Sequence, residues 1–329
     1  MVRVAAATGL VICVGLFGTA YAATRADAEA TAYPEKSIRL VVGFPPGGGN
    51  DALGRVVGPK LSDKFGRPVV IDNRAGAGGN LAAEMIARAA PDGYTILIAS
   101  SSHPIQGLLK KGLSYDPHKD FSGVAQLVVY RSLLVTTPGF AGTTVKSLIE
   151  LARAKPGQLN FISSGNGTGS HLAGELFKVA AKVNMTHVAY KGGAPAMVDL
   201  LAGRVEMMFS PLVPVLPHLK SGRLRPVAVT SLNRSRLMPE LPTISETGVP
   251  GFEFVSWYAI LAPAGTPKAV VAKLNKALNE VMKLPDVTER AHAEDMDVID
   301  RTPQQFDEER KAMIVKWEKI VKQTGITAD

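Results

Sequence analysis

Cysteine is almost missing from this chain: its 329 residues hold one, Cys13. No internal disulfide can form, so a large hydrophobic core has to hold the fold together. Long apolar runs are equally scarce. The one from Val4 to Gly18 is too short to span a bilayer comfortably, and nothing later comes closer. Arg3 precedes that run and Ala20-Tyr21-Ala22 follows it, the layout of a secretory leader cut after Ala22 or near Ala26-Asp27-Ala28. Cys13 follows Ile12, where a lipoprotein signal would need a small residue. The expected leader, residues 1–22, takes the cysteine with it, and the exported remainder is expected to have no stable membrane anchor.

Dense basic clusters are missing too. The net charge is +8, but lysine and arginine are spread out, with only short pairs such as Lys110-Lys111, and aromatic residues make up 6%. A nucleic-acid groove would need clustered cations with interleaved aromatics, so none is expected. A diffuse positive field suits a small anionic ligand, or serves solubility alone. Catalytic spacings are absent as well. The six histidines show no H-x-x-x-H or H-E-x-x-H pair, and there is no G-x-S-x-G elbow and no S-x-x-K pair. Neither a metal nor a cofactor is expected.

What the chain does contain is alternation of short β-rich runs with helical periods, the signature of an α/β fold with parallel-rich sheets. Strands are expected at 38–42, 69–71, 95–99, 133–135, 160–162, 205–209 and 227–229. Asn80 is expected to cap a helix bearing Leu81, Met85, Ile86 and Ala89, closed by Pro91-Asp92-Gly93. Thr266-Pro267 opens a second, with Val270, Val271, Leu274, Leu278 and Val281 on one stripe, halted by Pro285. Thr302-x-x-Gln305 has capping-box spacing, and Phe306, Met313, Trp317, Ile320 and Val321 form the stripe behind it.

The length leads one to expect two domains. Gly123–Val135 and Phe252–Ala262 look like strands that cross between lobes. If both cross, the first lobe comprises 33–128 and 258–329, and the second is an insertion at 129–257. A head-to-tail split near residue 150 is the alternative.

Two glycine-rich turns stand out, one in each half. Ile38 to Val42 runs into Gly43-Phe44-Pro45-Pro46-Gly47-Gly48-Gly49, after which Asn50 or Asp51 is placed to cap a helix carrying Leu53, Val56, Val57 and Leu61. Leu159 to Ile162 runs into Ser163-Ser164-Gly165-Asn166-Gly167-Thr168-Gly169-Ser170-His171, and Leu172, Leu176, Phe177 and Ala180 follow. Such turns leave backbone N–H groups at a positive helix end. Neither completes a dinucleotide fingerprint or a Walker loop. Ser163, Ser164, Asn166 and Thr168 add neutral donors suited to a carboxylate held reversibly. The same glycines would also serve as plain strand–helix turns. Ser100-Ser101-Ser102 closes a strand, Tyr190-Lys191-Gly192-Gly193 follows another, and Trp257 and Tyr258 lie in a crossing stretch. An alternative enzymatic reading, a hydrolase or isomerase, would use Asp51, His171 or Ser164 in the same cleft. A helix cap at Asp51 and local bonding at His171 are the simpler explanations.

At this point the motifs resemble the periplasmic receptors of tripartite tricarboxylate transporters, the Bug proteins. The likeness is carried by Val42-Gly43-Phe44-Pro45-Pro46-Gly47-Gly48-Gly49-Asn50-Asp51, Asn73-Arg74-Ala75-Gly76-Ala77-Gly78-Gly79-Asn80 and Ala90-Pro91-Asp92-Gly93-Tyr94-Thr95. It continues through Tyr115-Asp116-Pro117, Ser163 to Glu175, Tyr190-Lys191-Gly192 and Leu261-Ala262-Pro263-Ala264-Gly265-Thr266-Pro267. The resemblance implies a two-lobed type II periplasmic-binding-protein fold closing on a small organic carboxylate, and a periplasmic, non-enzymatic, monomeric receptor. Membrane transporter subunits are the expected partner, with a signalling partner as the alternative. The implied ligand-binding residues are Phe44, Gly47, Gly48 and Asp51, then Ser164, Asn166, Gly167 and Thr168, with Ser101, Tyr190 and Ser210 around them. Relatives often carry Asp-Asn where this chain has Ser210-Pro211. That change removes a partner for an amino-acid ammonium and points to a neutral or acidic far end of the ligand.

Overall fold

The computed structural model describes residues 32–327, and the expected leader lies outside the described residues. The first part of the chain forms β1 (Ile38–Val42), α1 (Gly49–Phe65), β2 (Val69–Asn73), α2 (Asn80–Ala87), β3 (Thr95–Ser100) and the short α3 (Gln106–Leu109). Next comes β4 (Phe121–Thr136), a strand of 16 residues. After it follow α4 (Val145–Ala154), β5 (Asn160–Ser163), α5 (Gly169–Ala181), β6 (Thr186–Ala189), α6 (Gly193–Leu201), β7 (Met207–Pro211), α7 (Leu212–Lys220), β8 (Arg225–Val229) and α8 (Ile244–Thr247). The chain returns along β9 (Val255–Pro263) and ends with α9 (Lys268–Met282), α10 (Pro285–Ala293), β10 (Met296–Val298) and α11 (Pro303–Thr324).

Among the described residues these strands form a ten-stranded mixed sheet in the order β2-β1-β3-β9-β4-β7-β5-β6, with β8 and β10 also on β4. β1 is parallel to β2 and β3, and β5 is parallel to β6 and β7. The two parallel groups belong to two lobes, and β4 is shared between them. Phe121 to Arg131 pair antiparallel with β9, while Ser132 to Thr136 pair with β7 and β8. Thr230 ties the junction together. Its hydroxyl lies 3.0 Å from the Ser132 carbonyl and 2.7 Å from that of Phe254, and its N–H also bonds to the Ser132 carbonyl.

Period-two alternation explains why the sheet is covered on both faces. In the first lobe, Leu40, Val42, Ile96, Ile98, Tyr258 and Ile260 face the core under α1 and α9. Their neighbours Val41, Leu97, Ala99, Trp257, Ala259 and Leu261 face a second core with Ala82, Ile86 and Phe306. In the second lobe, Phe161, Met207 and Phe209 point one way, and Ile162 and Met208 the other. The C-terminal helix serves both lobes: Phe306 lies in a first-lobe core, whereas Trp317 packs with Phe254 and Phe177 in a second-lobe core.

Several boundaries differ from those expected. The run 133–135 is only the end of β4, because the residues before it pair with β9. β10 is a short strand that the period did not single out, and β6 is the strand expected before Tyr190. Asn80 is the first residue of its helix, and Gly79 is the N-cap without a side-chain bond. Pro285 does more than stop α9, since it occupies the first turn of α10. The Thr302 box forms as spaced, its hydroxyl accepting from the Gln305 N–H.

Candidate functional site

The carboxyl ends of the parallel strands of both lobes face a common cleft of about 540 Å³. That volume lies within the range of about 300–1,000 Å³ usual for small-ligand sites. Three glycine-rich segments and two lysines shape it.

The first segment follows β1. Gly43, Phe44 and Pro45 line the cleft, whereas Gly47 and Gly48 lie exposed outside its lining. Asp51 is buried in the first turn of α1 and accepts from the Gly47 N–H at 2.9 Å, Arg55 Nε at 2.9 Å and Asn73 Nδ2 at 3.0 Å. Burial works to raise its pKa, but these donors outweigh it and hold the carboxyl below its ordinary value. Asp51 therefore fastens the turn to the helix from within.

The second segment, residues 75–80 after β2, contributes more of the lining than either expected loop. Gly76, Ala77, Gly78 and Gly79 all have positive φ (150°, 48°, 67° and 96°). Ala77 pays strain for that conformation, the kind of local cost that collects at binding sites. Asn80 fixes the end of the segment: its Nδ2 donates to the Ala77 carbonyl at 2.8 Å, and Tyr115 donates to its Oδ1 at 2.6 Å.

The third segment follows β5, and Ser164, Gly165 and Asn166 line the cleft there. The expected nest of free amides is largely used up internally. Ser164 N–H donates to Ser170 Oγ at 3.1 Å, Gly165 N–H to Ser163 Oγ at 3.1 Å, and Gly167 N–H to His171 Nδ1 at 3.0 Å. Thr168 N–H donates to the Gly165 carbonyl, and so does the Thr168 hydroxyl at 2.7 Å. The loop is preorganised rather than open, and its Ser164 and Asn166 face lines the cleft.

Behind it, His171 stacks on His187 with centroids 4.0 Å apart, and His187 Nε2 lies 2.7 Å from Ser163 Oγ. Because Gly167 donates to Nδ1 of His171, that ring carries its proton on Nε2. Burial pushes His171 down to about 3 and His187 down to about 4, with the neighbouring positive charge of Lys178 adding to both. Both rings are neutral braces for the loop at ordinary pH. His103, deep beneath the first lobe's loops between Tyr115 and Phe121, is pushed by burial to about 3.

The lobes touch behind the cleft. Gln106 Nε2 donates to the Gly167 carbonyl at 3.0 Å, and Asn80 Nδ2 donates to Gln106 Oε1 at 3.3 Å. A Cβ at Gly78 would stand 3.0 Å from the Asn166 carbonyl oxygen, so the second and third segments approach backbone to backbone.

Of the residues expected from sequence, Phe44, Ser164, Asn166 and Tyr190 come together in the lining. Gly167 and Thr168 sit one step behind it. Ser101 bonds Ser256 Oγ at 3.0 Å and borders a separate cavity of about 230 Å³ beside Phe254 and Trp317. Ser210 is buried in β7 and donates to the Pro211 carbonyl at 3.0 Å. Tyr190 donates its hydroxyl to Asp199 at 2.6 Å, and Arg204 holds the other oxygen of that carboxylate at 2.7 Å. Sequence reasoning missed segment 75–80, Lys110, Lys191 and Gly192 as cleft residues. The glycine-rich run after a strand was the available signal for the first of these.

The chain is similar to R. palustris Rpa4515, solved with adipate, at 37% identity and a TM-score of 0.85, over 90% of this chain and 99% of that one. It is similar to the periplasmic binding protein BugD at 33% identity and a TM-score of 0.83, over 90% and 99% of the two chains. MatC (Rpa3494) from Rhodopseudomonas palustris, with bound malate, shares 31% identity and a TM-score of 0.80, over 88% and 100%. Residues 53–326 match the family described as tripartite tricarboxylate transporter family receptor. The chain belongs to that family.

Proposed function

We propose that this protein is a periplasmic receptor that captures a small organic carboxylate between its lobes and presents it to a tripartite tricarboxylate-type membrane transporter. One observation carries the reading: a cleft of ligand size walled by preorganised, neutral-donor loops from both lobes, with the lobes in contact behind it. Phe44, Ser164, Asn166 and Tyr190 are the proposed contact residues, joined by segment 75–80. Gly47, Gly48, Asp51, Gly167 and Thr168 act by shaping the loops, and Ser101 and Ser210 have no cleft contact to support a direct role. The lobe division 33–128 with 258–329 and 129–257 is proposed on the same basis, with β4 and β9 as the crossing strands.

Adipate in Rpa4515 and malate in MatC support the ligand class. The chemistry of the loop residues favours capture over turnover. Asp51 is held by three donors, and the Nδ1 of His171 is occupied by a backbone N–H, so neither is poised as a base. The test is a thermal-shift and calorimetric screen of the secreted chain with adipate, malate and related acids, followed by NMR of the recovered acid. A stoichiometric, saturable shift with unchanged acid is expected. Failure of every such acid to bind would sink the reading, and a chemically altered acid would move the protein to the enzymes.

A further inference from the structure

We propose that the smaller cavity beside α11 is a second ligand site, and that it takes a free amino acid with an apolar side chain. It is separate from the cleft, with which it shares no lining residue.

This cavity of about 230 Å³ lies where α11 meets both lobes. Its apolar part is held firmly in place. Thr230 pins Phe254 on both sides, its carbonyl accepting the Phe254 N–H at 2.8 Å and its hydroxyl donating to the Phe254 carbonyl at 2.7 Å. The Phe254 ring meets Trp317 edge to face, with centroids 6.4 Å apart. Leu176 of α5 and Met313 of α11 extend the apolar surface. The α11 residues on the lining, Ala312, Met313, Lys316 and Trp317, recur at the spacing of one helix face.

Charge enters at the more exposed edge. Glu253 is half-buried and Lys316 exposed, whereas Phe254 and Trp317 are each 5% exposed. Among the described residues neither charged side chain has an ion pair or hydrogen bond, with the other or elsewhere. Glu309, the second acid on the lining, is already held by Gln126 and Arg301. The indole N–H of Trp317 also has no hydrogen-bond partner among the described residues. One free acid, one free base and one free donor therefore surround an apolar pocket. An apolar guest would answer none of them, and a singly charged guest only one of the two charges. An amino acid answers all three: its ammonium meets Glu253, its carboxylate meets Lys316 and the indole, and its side chain covers the rings. The volume falls below the range of about 300–1,000 Å³ usual for drug-sized ligands, which suits one amino acid and not a peptide. Half-exposed ion pairs contribute modestly, so each charge should be worth about fivefold in affinity and weaken with salt.

Calorimetry on the secreted chain at low salt tests this with L-leucine, L-methionine and L-phenylalanine. At least one should bind with one-to-one stoichiometry, about fivefold more tightly than its amide, which keeps the ammonium and lacks the carboxylate. E253Q/K316M should weaken that binding about tenfold. Ala312→Trp, at an exposed position on the lining, fills the cavity and should abolish it. Melting points within a few degrees of the parent confirm that each variant is folded, and either folded variant suffices for the test. No binding of any of the three by the parent overturns the site. So does binding unchanged in a folded variant, because the amino acid would then sit elsewhere, as in the cleft. An amide that binds as tightly as its amino acid overturns the ligand class. None of these results touches the receptor reading, since no cleft residue is altered.

Discussion

Gln106 Nε2 lies 3.0 Å from the carbonyl oxygen of Gly167, a buried hydrogen bond that joins the lobes behind the cleft. Asn80 bonds the other end of the Gln106 amide, and Tyr115 holds Asn80, so the donor is aimed before the lobes meet. A bond that joins the lobes stabilises the arrangement in which they meet, and a ligand held in that arrangement gains from it. Gln106→Ala should weaken ligand binding about fivefold, the equivalent of one ordinary hydrogen bond of about 1 kcal/mol. Calorimetry with the best acid reads the loss, and small-angle scattering should show a more expanded unliganded protein. An unchanged dissociation constant would mean that the bond plays no part in capture.

Gly78 tests the same closure from steric grounds. Its φ of 67° disfavours any side chain, and an added Cβ would press on the Asn166 carbonyl from 3.0 Å. Gly78→Ala should cost about 1 kcal/mol of stability from the backbone alone. It should cost ligand affinity in addition, because the obstruction exists only when the segments meet. Comparing the fall in apo melting point with the fall in affinity separates the two effects. A loss of stability with full affinity would show that Gly78 and Asn166 need not approach for binding.

Those two contacts also mark how far the sequence could be read. Period and punctuation located β1 to the residue, because Ile38–Val42 is apolar but for Arg39 and is ended by Gly43. They located the stripes of α9 and α11, where apolar spacing and the Thr302 box agree. Of β4 they marked only the end at 133–135, and it was the expected crossing stretch Gly123–Val135 that came close to the strand's full length. Within the site, Phe44, Ser164, Asn166 and Tyr190 were legible because each lies just beyond the carboxyl end of a strand. Asp51 and Thr168 carried the right chemistry, but their side chains are spent inside their own turns. That difference depends on rotamers and not on residue type. Lys110 and Lys191 were unreadable as a pair, because only the folding of two lobes brings positions so distant in sequence to one cleft.

Buried histidines make stability fall with acidity. His103 and His171 are 7% and 4% exposed, and burial depresses each to about 3, whereas an unfolded chain protonates them near 6.5. Below about pH 6.5 the unfolded state binds more protons, so the folded state loses up to about 1.4 kcal/mol per pH unit for each histidine until the folded values are approached. The expected profile is a melting point steady above pH 7 that drops steeply between pH 6 and pH 4. His103→Phe keeps an aromatic ring between Tyr115 and Phe121 and should remove part of that slope. A variant profile parallel to the parent's would show that His103 is protonated in the fold.

The C-terminal helix makes a final prediction about cooperativity. Phe306 is fully buried against Trp257 in the first lobe, and Trp317 is 5% exposed against Phe254 in the second. Eleven residues separate them, about 16 Å along the helix, so their effects should largely add, with Met313 the one helix residue packed against both cores. Phe306→Ala and Trp317→Ala should each destabilise the protein by about 3–5 kcal/mol, the usual cost of emptying a large aromatic site. If the helix welds the lobes into one unit, either substitution lowers the midpoint of a single urea transition followed by circular dichroism. If each lobe instead unfolds independently, the transition splits, with only the substituted lobe melting early. A split in either variant would show that α11 covers both lobes without coupling them.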